Sequence, residues 1–231
     1  RSTLFPYTTL FRSERCGDTD GSGAAVLAGL AGLATVVAGR LIADGLTVVG
    51  VTGSSGKTST KDLLAQLLEP MGTTIAPPGS FNNELGHPWT VLRADEHTRY
   101  LVLELSARGP GHIAALCAIA RPRFGIVLNV GTAHLGEFGS REEIGRTKGE
   151  LVEALPEDGL AVLNADDPVV SAMASRTTAR VVRVGEDIRA ADLELDDQAR
   201  ASFRMVTPNG EAPVTLALHG AHHVGNALAQ R

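Results

Sequence analysis

Cysteine is nearly missing from this 231-residue sequence. Cys16 and Cys117 cannot build a disulfide framework, nor a zinc site by themselves. Aromatic residues are scarce at 4% of the chain, so any core rests on Ala, Val, Leu and Ile. Positive charge is not in excess. A net charge of −5 argues against a protein that grips nucleic acid by bulk charge, and leaves room for a local phosphate site. The seven histidines include the pair His222-His223 but no HExxH. Long apolar runs are missing too. The longest, 24–38, is short and interrupted by glycine, and no basic region precedes it. The expectation is therefore a cytoplasmic protein with neither a membrane span nor a signal peptide.

What is present suits a folded domain. Hydrophobic residues make up 43% and charged residues 20%, enough apolar material for a core. At roughly 100–200 residues per domain, the length allows one large domain or two small ones. Residues 1–13 (RSTLFPYTTLFRS) hold Phe5, Tyr7 and Phe11, three of the nine aromatics. The segment resembles the in-frame translation of a sequencing-adapter oligonucleotide and is set apart from fold reasoning. Residues 14–45 read as a linker and a helix over 24–43.

From residue 46 a regular alternation begins. Apolar runs at 46–51, 73–76, 99–105, 124–130, 160–164 and 180–184 read as strands. Helical segments at 57–68, 111–119, 141–155 and 168–176 lie between them. Such alternation predicts an α/β fold with a mainly parallel sheet flanked by helices. After Gly185 apolar and polar residues alternate at 193–195, 202–206 and 214–218, and Pro208-Asn209-Gly210 makes a turn. That pattern predicts a small antiparallel region. A last helix is expected to begin at 220 and to run on to the final residue.

The most informative segment is Gly53-Ser54-Ser55-Gly56-Lys57-Thr58 with Ser59, placed between a strand and a helix. Glycines let backbone N–H groups turn toward phosphate oxygens, and the helix N-terminus adds partial positive charge. Lys57 would reach the β- and γ-phosphates and Thr58 would bind Mg²⁺. The spacing is shorter than G-x-x-x-x-G-K, since position 51 is Val51. On the residues alone, a Gly-Ser turn capped by Lys and Thr remains the bland alternative.

This short loop resembles that of the Mur ligase superfamily, in which ATP drives the joining of an amino acid or peptide to a carboxylate. VTGSSGKTSTK, GSFNNELG, NVGTAHLGEF and KGE together resemble its D-alanyl-D-alanine-adding branch, which serves peptidoglycan synthesis. The resemblance runs from about residue 46 to the end and makes 46–231 the middle, ATP-binding domain. Domains before and after it are expected to be largely absent, and the chain alone to be a monomer that does not ligate. The substrates implied are UDP-N-acetylmuramoyl-tripeptide and D-alanyl-D-alanine, with ATP and Mg²⁺.

The site residues implied follow from matched positions. Glu104, at a strand end, would share Mg²⁺ with Thr58; its alternative is an ion pair with Arg108. The family usually continues Met-Gly where this chain has Leu105-Ser106. His134 matches a second-metal histidine, against a capping or packing role. Lys148 matches a lysine carbamylated by CO₂, against a solvated helix face. Asn82 and Asn83 match substrate contacts, against turn residues. Asn226 matches an adenine contact, although His223 replaces the usual first Asn. Asn164, Asp166 and Asp167 have capping as the strong alternative to a nucleotide-side role. Other readings are another Mur ligase, a folylpolyglutamate synthase, or a P-loop nucleotide-binding module without ligation. A switch GTPase is disfavoured because no N-K-x-D follows Asn129 or Asn164.

Overall fold

The computed structural model describes residues 22–131 and 140–229. It opens with a helix, α1 (Ser22–Ala43), followed by β1 (Thr47–Thr52) and α2 (Lys57–Leu68). Then come β2 (Thr74–Ile75), α3 (Gly86–Val91), β3 (Tyr100–Glu104), α4 (His112–Ile119) and β4 (Phe124–Val127). The next elements are α5 (Arg141–Glu153), β5 (Leu160–Asn164), α6 (Pro168–Ser171) and β6 (Arg180–Val184). Three further strands, β7 (Arg189–Leu195), β8 (Arg200–Thr207) and β9 (Gly210–His219), precede α7 (His222–Leu228).

Strands β1 to β6 form one parallel sheet in the order β2-β3-β1-β4-β5-β6. Side chains alternate across a strand, so each buried strand feeds two cores. Val48, Leu101, Leu103, Ala161 and Leu163 pack into a layer with α1, α4, α5 and α6. Val49, Val51, Val102, Ile126 and Val162 pack into another with α2, α7 and the small sheet. That small sheet is antiparallel, in the order β7-β8-β9, and sends Ala201, Phe203, Met205 and Leu216 inward.

Most expected elements are present; besides the unexpected helix α3, there are four differences. Strand β4 stops at Val127, because beyond Leu128 the next bond, Ser54 N–H to Asn129 O, falls out of the ladder's register. The segment expected as one helix over 168–176 is four α-helical residues followed by a 3-10 turn, Ala172–Arg176. The last helix starts at His222, because Gly220 takes φ +112° and breaks the run, and it closes at Leu228. Helix α1 has 22 residues, more than the 24–38 stretch, and by length and composition alone is long and apolar enough to cross a membrane. Yet Ala34 and Ala38 on its C-terminal half are fully buried in the core.

Candidate active site

Strand β1 lies at the centre of the sheet with β3 on one side and β4 on the other. Chain direction reverses its progress there, and in such sheets the crevice beyond the strands' carboxyl ends receives ligands. The loop 53–56 leaves β1 at that point and enters α2. Gly56 holds φ +81°, a left-handed conformation that a side chain would strain, and Asn226 leaves no room for one. A Cβ at Gly56 would sit 2.8 Å from Asn226 Oδ1.

Register sets the neighbours. Val51 pairs with Glu104, so the end of β3 brings its carboxylate beside the loop. Glu104 is 2% exposed, and its partners are oxygen- and nitrogen-bearing side chains of the site rather than Arg108. The Thr58 hydroxyl donates to Glu104 Oε2 at 3.0 Å, and the Asn82 amide donates to Oε1 at 2.7 Å. Ser80 lies 3.1 Å from the Thr58 hydroxyl. Asn82 is thus part of the centre. The exposed Asn83 side chain accepts from Gly86 N–H at 2.9 Å and leads into α3, a turn-forming role.

One lysine borders the carboxylate, and a second borders that lysine. Lys57 Nζ donates to Gly53 O at 2.8 Å, folding back over the loop. Burial pulls its pKa below the usual lysine value, and the Glu104 charge opposes that. Lys148, from α5, is 8% exposed. Burial, with the Lys57 charge second, pushes its pKa down to about 8. Glycine and glutamate beside it have other duties. Glu150 caps α4, accepting from Gly111 N–H at 2.6 Å and Ala114 N–H at 2.9 Å. Gly149 makes way for Arg176, whose guanidinium occupies the space of a Cβ. The fixed rotation of α5 leaves Lys148 alone of the three facing Lys57.

On the far side of Asn226 lies a cavity of about 390 Å³, floored by Val127, Val162 and Val184. Asn164, Asp166 and Asn226 are among its polar lining. Asn164 is committed to the fold, donating to Leu128 O at 2.9 Å. Asp167 is committed further. It accepts from Val130 N–H at 2.8 Å, Val169 N–H at 3.0 Å and Arg141 at 3.0 Å, and it caps α6.

The structure therefore gathers Gly53, Ser54, Ser55, Gly56, Lys57, Thr58, Asn82, Glu104, Lys148 and Asn226 around one loop, with half-buried Ser59 in the first turn of α2. His134 lies outside the described residues. Among those described, no three His, Cys, Asp or Glu side chains cluster as a metal centre. Thr58 with Glu104 nevertheless supplies oxygen atoms 3.0 Å apart, a donor set that fits a hard divalent cation. The loop, the lysines and the cavity fit a nucleotide triphosphate.

Two residues that sequence reasoning missed stand out. Asn129 binds the loop from just past the end of β4; its place after a strand, at the head of the NVGTAHLGEF segment, was the signal. Lys61 is buried at 1% exposure and donates to Pro77 O at 2.6 Å, tying α2 to the segment that leads into Ser80 and Asn82. Its sequence signals were its place on the inner face of an amphipathic helix and at the end of the VTGSSGKTSTK segment.

This arrangement is that of a nucleotide-dependent Mur ligase fold. A family model for the Mur ligase middle domain matches residues 51–230, and the chain belongs to that family. A UDP-N-acetylmuramoyl-tripeptide–D-alanyl-D-alanine ligase of Mycobacterium tuberculosis is 61% identical over 215 residues, which cover 91% of this chain and 42% of that protein. The Escherichia coli enzyme of the same name is 38% identical over 188 residues, 79% of this chain and 41% of that one. The chain thus spans less than half the length of these relatives. Among solved structures, MurF from Acinetobacter baumannii superposes with a TM-score of 0.84 at 35% identity, covering 88% of this chain and 45% of that one. MurF ligase from Thermotoga maritima, solved with ADP, gives 0.78 at 35% identity, covering 88% and 48%.

Proposed function

We propose that the protein carrying this chain is an ATP-dependent ligase that joins D-alanyl-D-alanine to UDP-N-acetylmuramoyl-tripeptide in cytoplasmic peptidoglycan synthesis. Residues 46–231 would be its nucleotide-binding middle part. The observation that carries the reading is the juxtaposition of the 53–58 loop, Lys57, Lys148 and the Thr58–Glu104 pair at the centre of the sheet. The 61% identity to a ligase of that name supports the substrate pair.

In this reading a carboxylate oxygen of the tripeptide attacks the γ-phosphorus of ATP. The bond to ADP breaks, giving an acyl phosphate. The dipeptide amine then attacks the acyl carbon, the bond to phosphate breaks, and one proton leaves the nitrogen. Positioning and charge neutralisation supply most of the acceleration in such chemistry. Magnesium, when bound, would offset the phosphate charge.

This chain's residues do the rest. Lys57 exchanges the Gly53 carbonyl for the β- and γ-phosphate oxygens. Thr58 and Glu104 would hold the ion, and Asn82, bonded to the other oxygen of the same carboxylate, would contact substrate. Asn226 and the cavity beyond it receive the adenine. A lysine with pKa near 8 is neutral in about half of the molecules at that pH, against well under a hundredth for an ordinary lysine. Only the neutral amine adds to CO₂, so the burial of Lys148 favours a carbamate, which with His134 would hold a second ion.

The test is phosphate release by the full-length protein, given UDP-N-acetylmuramoyl-tripeptide, D-alanyl-D-alanine, ATP and Mg²⁺. Release that requires all four is the expected result. Release with a single amino acid in place of the dipeptide would assign another ligase activity instead.

A further inference from the structure

Apart from the Lys57–Gly53 bond, the loop that would cradle phosphate is held in shape from outside its own residues. Ser54 N–H is shared between the Asn129 carbonyl at 3.1 Å and Asn129 Oδ1 at 3.0 Å. Ser55 N–H also donates to Asn129 Oδ1, at 3.0 Å. In return Asn129 Nδ2 donates to Ser55 O at 3.2 Å. One link further, Gly131 N–H donates to Ser54 Oγ at 2.9 Å. The side chain of Asn129 both accepts from and donates to Ser55, as a neighbouring strand would. It continues the pairing of β1 with β4 for two residues past the last ladder pair, Thr52 with Val127.

We propose that Asn129 is a positioning residue for nucleotide binding, a clamp that fixes the outer limb of the phosphate loop before nucleotide arrives. This rests on the reading of 53–58 as a phosphate site. With the amides of Ser54 and Ser55 committed, the amides left to converge on a ligand are those at the start of α2, where the helix leaves its first N–H groups unpaired. A preformed loop spares the ordering cost that a floppy Gly-Ser turn would impose on binding. The residue type follows from the pattern. Asp is the same size and could accept from both amides, but it cannot donate to Ser55 O. It would also place a negative charge beside the phosphates. Ala would leave two amides without their acceptor.

The experiment has two arms, both on the full chain. Calorimetric titration with Mg²⁺-ADP compares the parent with Asn129→Asp, Asn129→Ala and the remote charge control Asn209→Asp in the β8–β9 turn. The expected result is a loss of about tenfold or more for both position-129 variants and none for the control. Amide hydrogen exchange without nucleotide is the second arm. Ser54 and Ser55 should be protected in the parent and should exchange markedly faster in Asn129→Ala, while amides of β1 and β3 stay protected. If both variants bind ADP within twofold of the parent, or if the two amides keep their protection, the clamp is wrong. If the parent itself does not bind ADP, the phosphate-site reading has failed, and the exchange arm still decides the clamp.

Discussion

Two polar clusters sit at the carboxyl end of the same sheet, and they are built on opposite terms. Around Asp167 every strong group has a partner: three backbone amides and the Arg141 guanidinium converge on one carboxylate. Around Lys57 the charges stand in tension. Two lysines are drawn together in a buried place, and burial lowers the pKa of each. The first arrangement stabilises a fold, because buried polar groups that are fully paired cost little. The second costs stability, and a site that tolerates such a cost is a candidate for chemistry. Both clusters are made of acidic and basic residues near strand ends. Saturation of their partners, and not residue type, tells them apart.

The comparison can be broken from the structural side first, where the largest effect is expected. Asp167→Ala strips the cap from α6 and orphans the Val130 amide, and should cost about 2–4 kcal/mol. Urea unfolding measures this. A loss under about 0.5 kcal/mol would show that Asp167 is no hub, since that is the scatter of ordinary surface substitutions.

A smaller effect sharpens the other side. The Lys148 pKa, near 8 in the fold against 10.5 unfolded, penalises the charged form. Between those values the unfolded chain binds the proton and the folded chain does not, so stability should rise with pH from about 8 to 10.5. Lys148→Met should flatten that rise, as read from unfolding midpoints across the range. An unchanged slope would place Lys148 in contact with solvent. Smallest is Glu150→Ala, expected to cost about 1 kcal/mol through the α4 cap while leaving nucleotide affinity unaltered. A loss of affinity there would move Glu150 from the quiet cluster to the active one.

Much of this was legible in the sequence. The parallel sheet followed from apolar runs separated by helical segments, and the span of α2 was readable to the residue. The 53–58 loop announced itself because its chemistry is local: glycine, lysine and threonine act within one turn. Long-range roles were hidden. Asn129 meets Ser54 and Ser55 across more than seventy residues, and Glu150 reaches Gly111 across 39. Nothing in KGE says that only the lysine faces the site. That depends on how Arg176 and Gly149 set the roll of α5. Helix α3 was missed because six residues containing Pro88 carry no periodicity; the Asn83 side chain, accepting from the Leu85 and Gly86 amides, and packing against α1 hold it instead.

The central claim is that Lys57 and its loop form a phosphate site. Calorimetric titration of the chain and of Lys57→Ala with Mg²⁺-ADP tests it most directly. Binding by the parent, and at least a thirtyfold loss in the variant with its melting temperature within a few degrees of the parent's, is the expected result, roughly 2 kcal/mol for a charge-assisted contact. Equal affinity in the two chains would contradict the account.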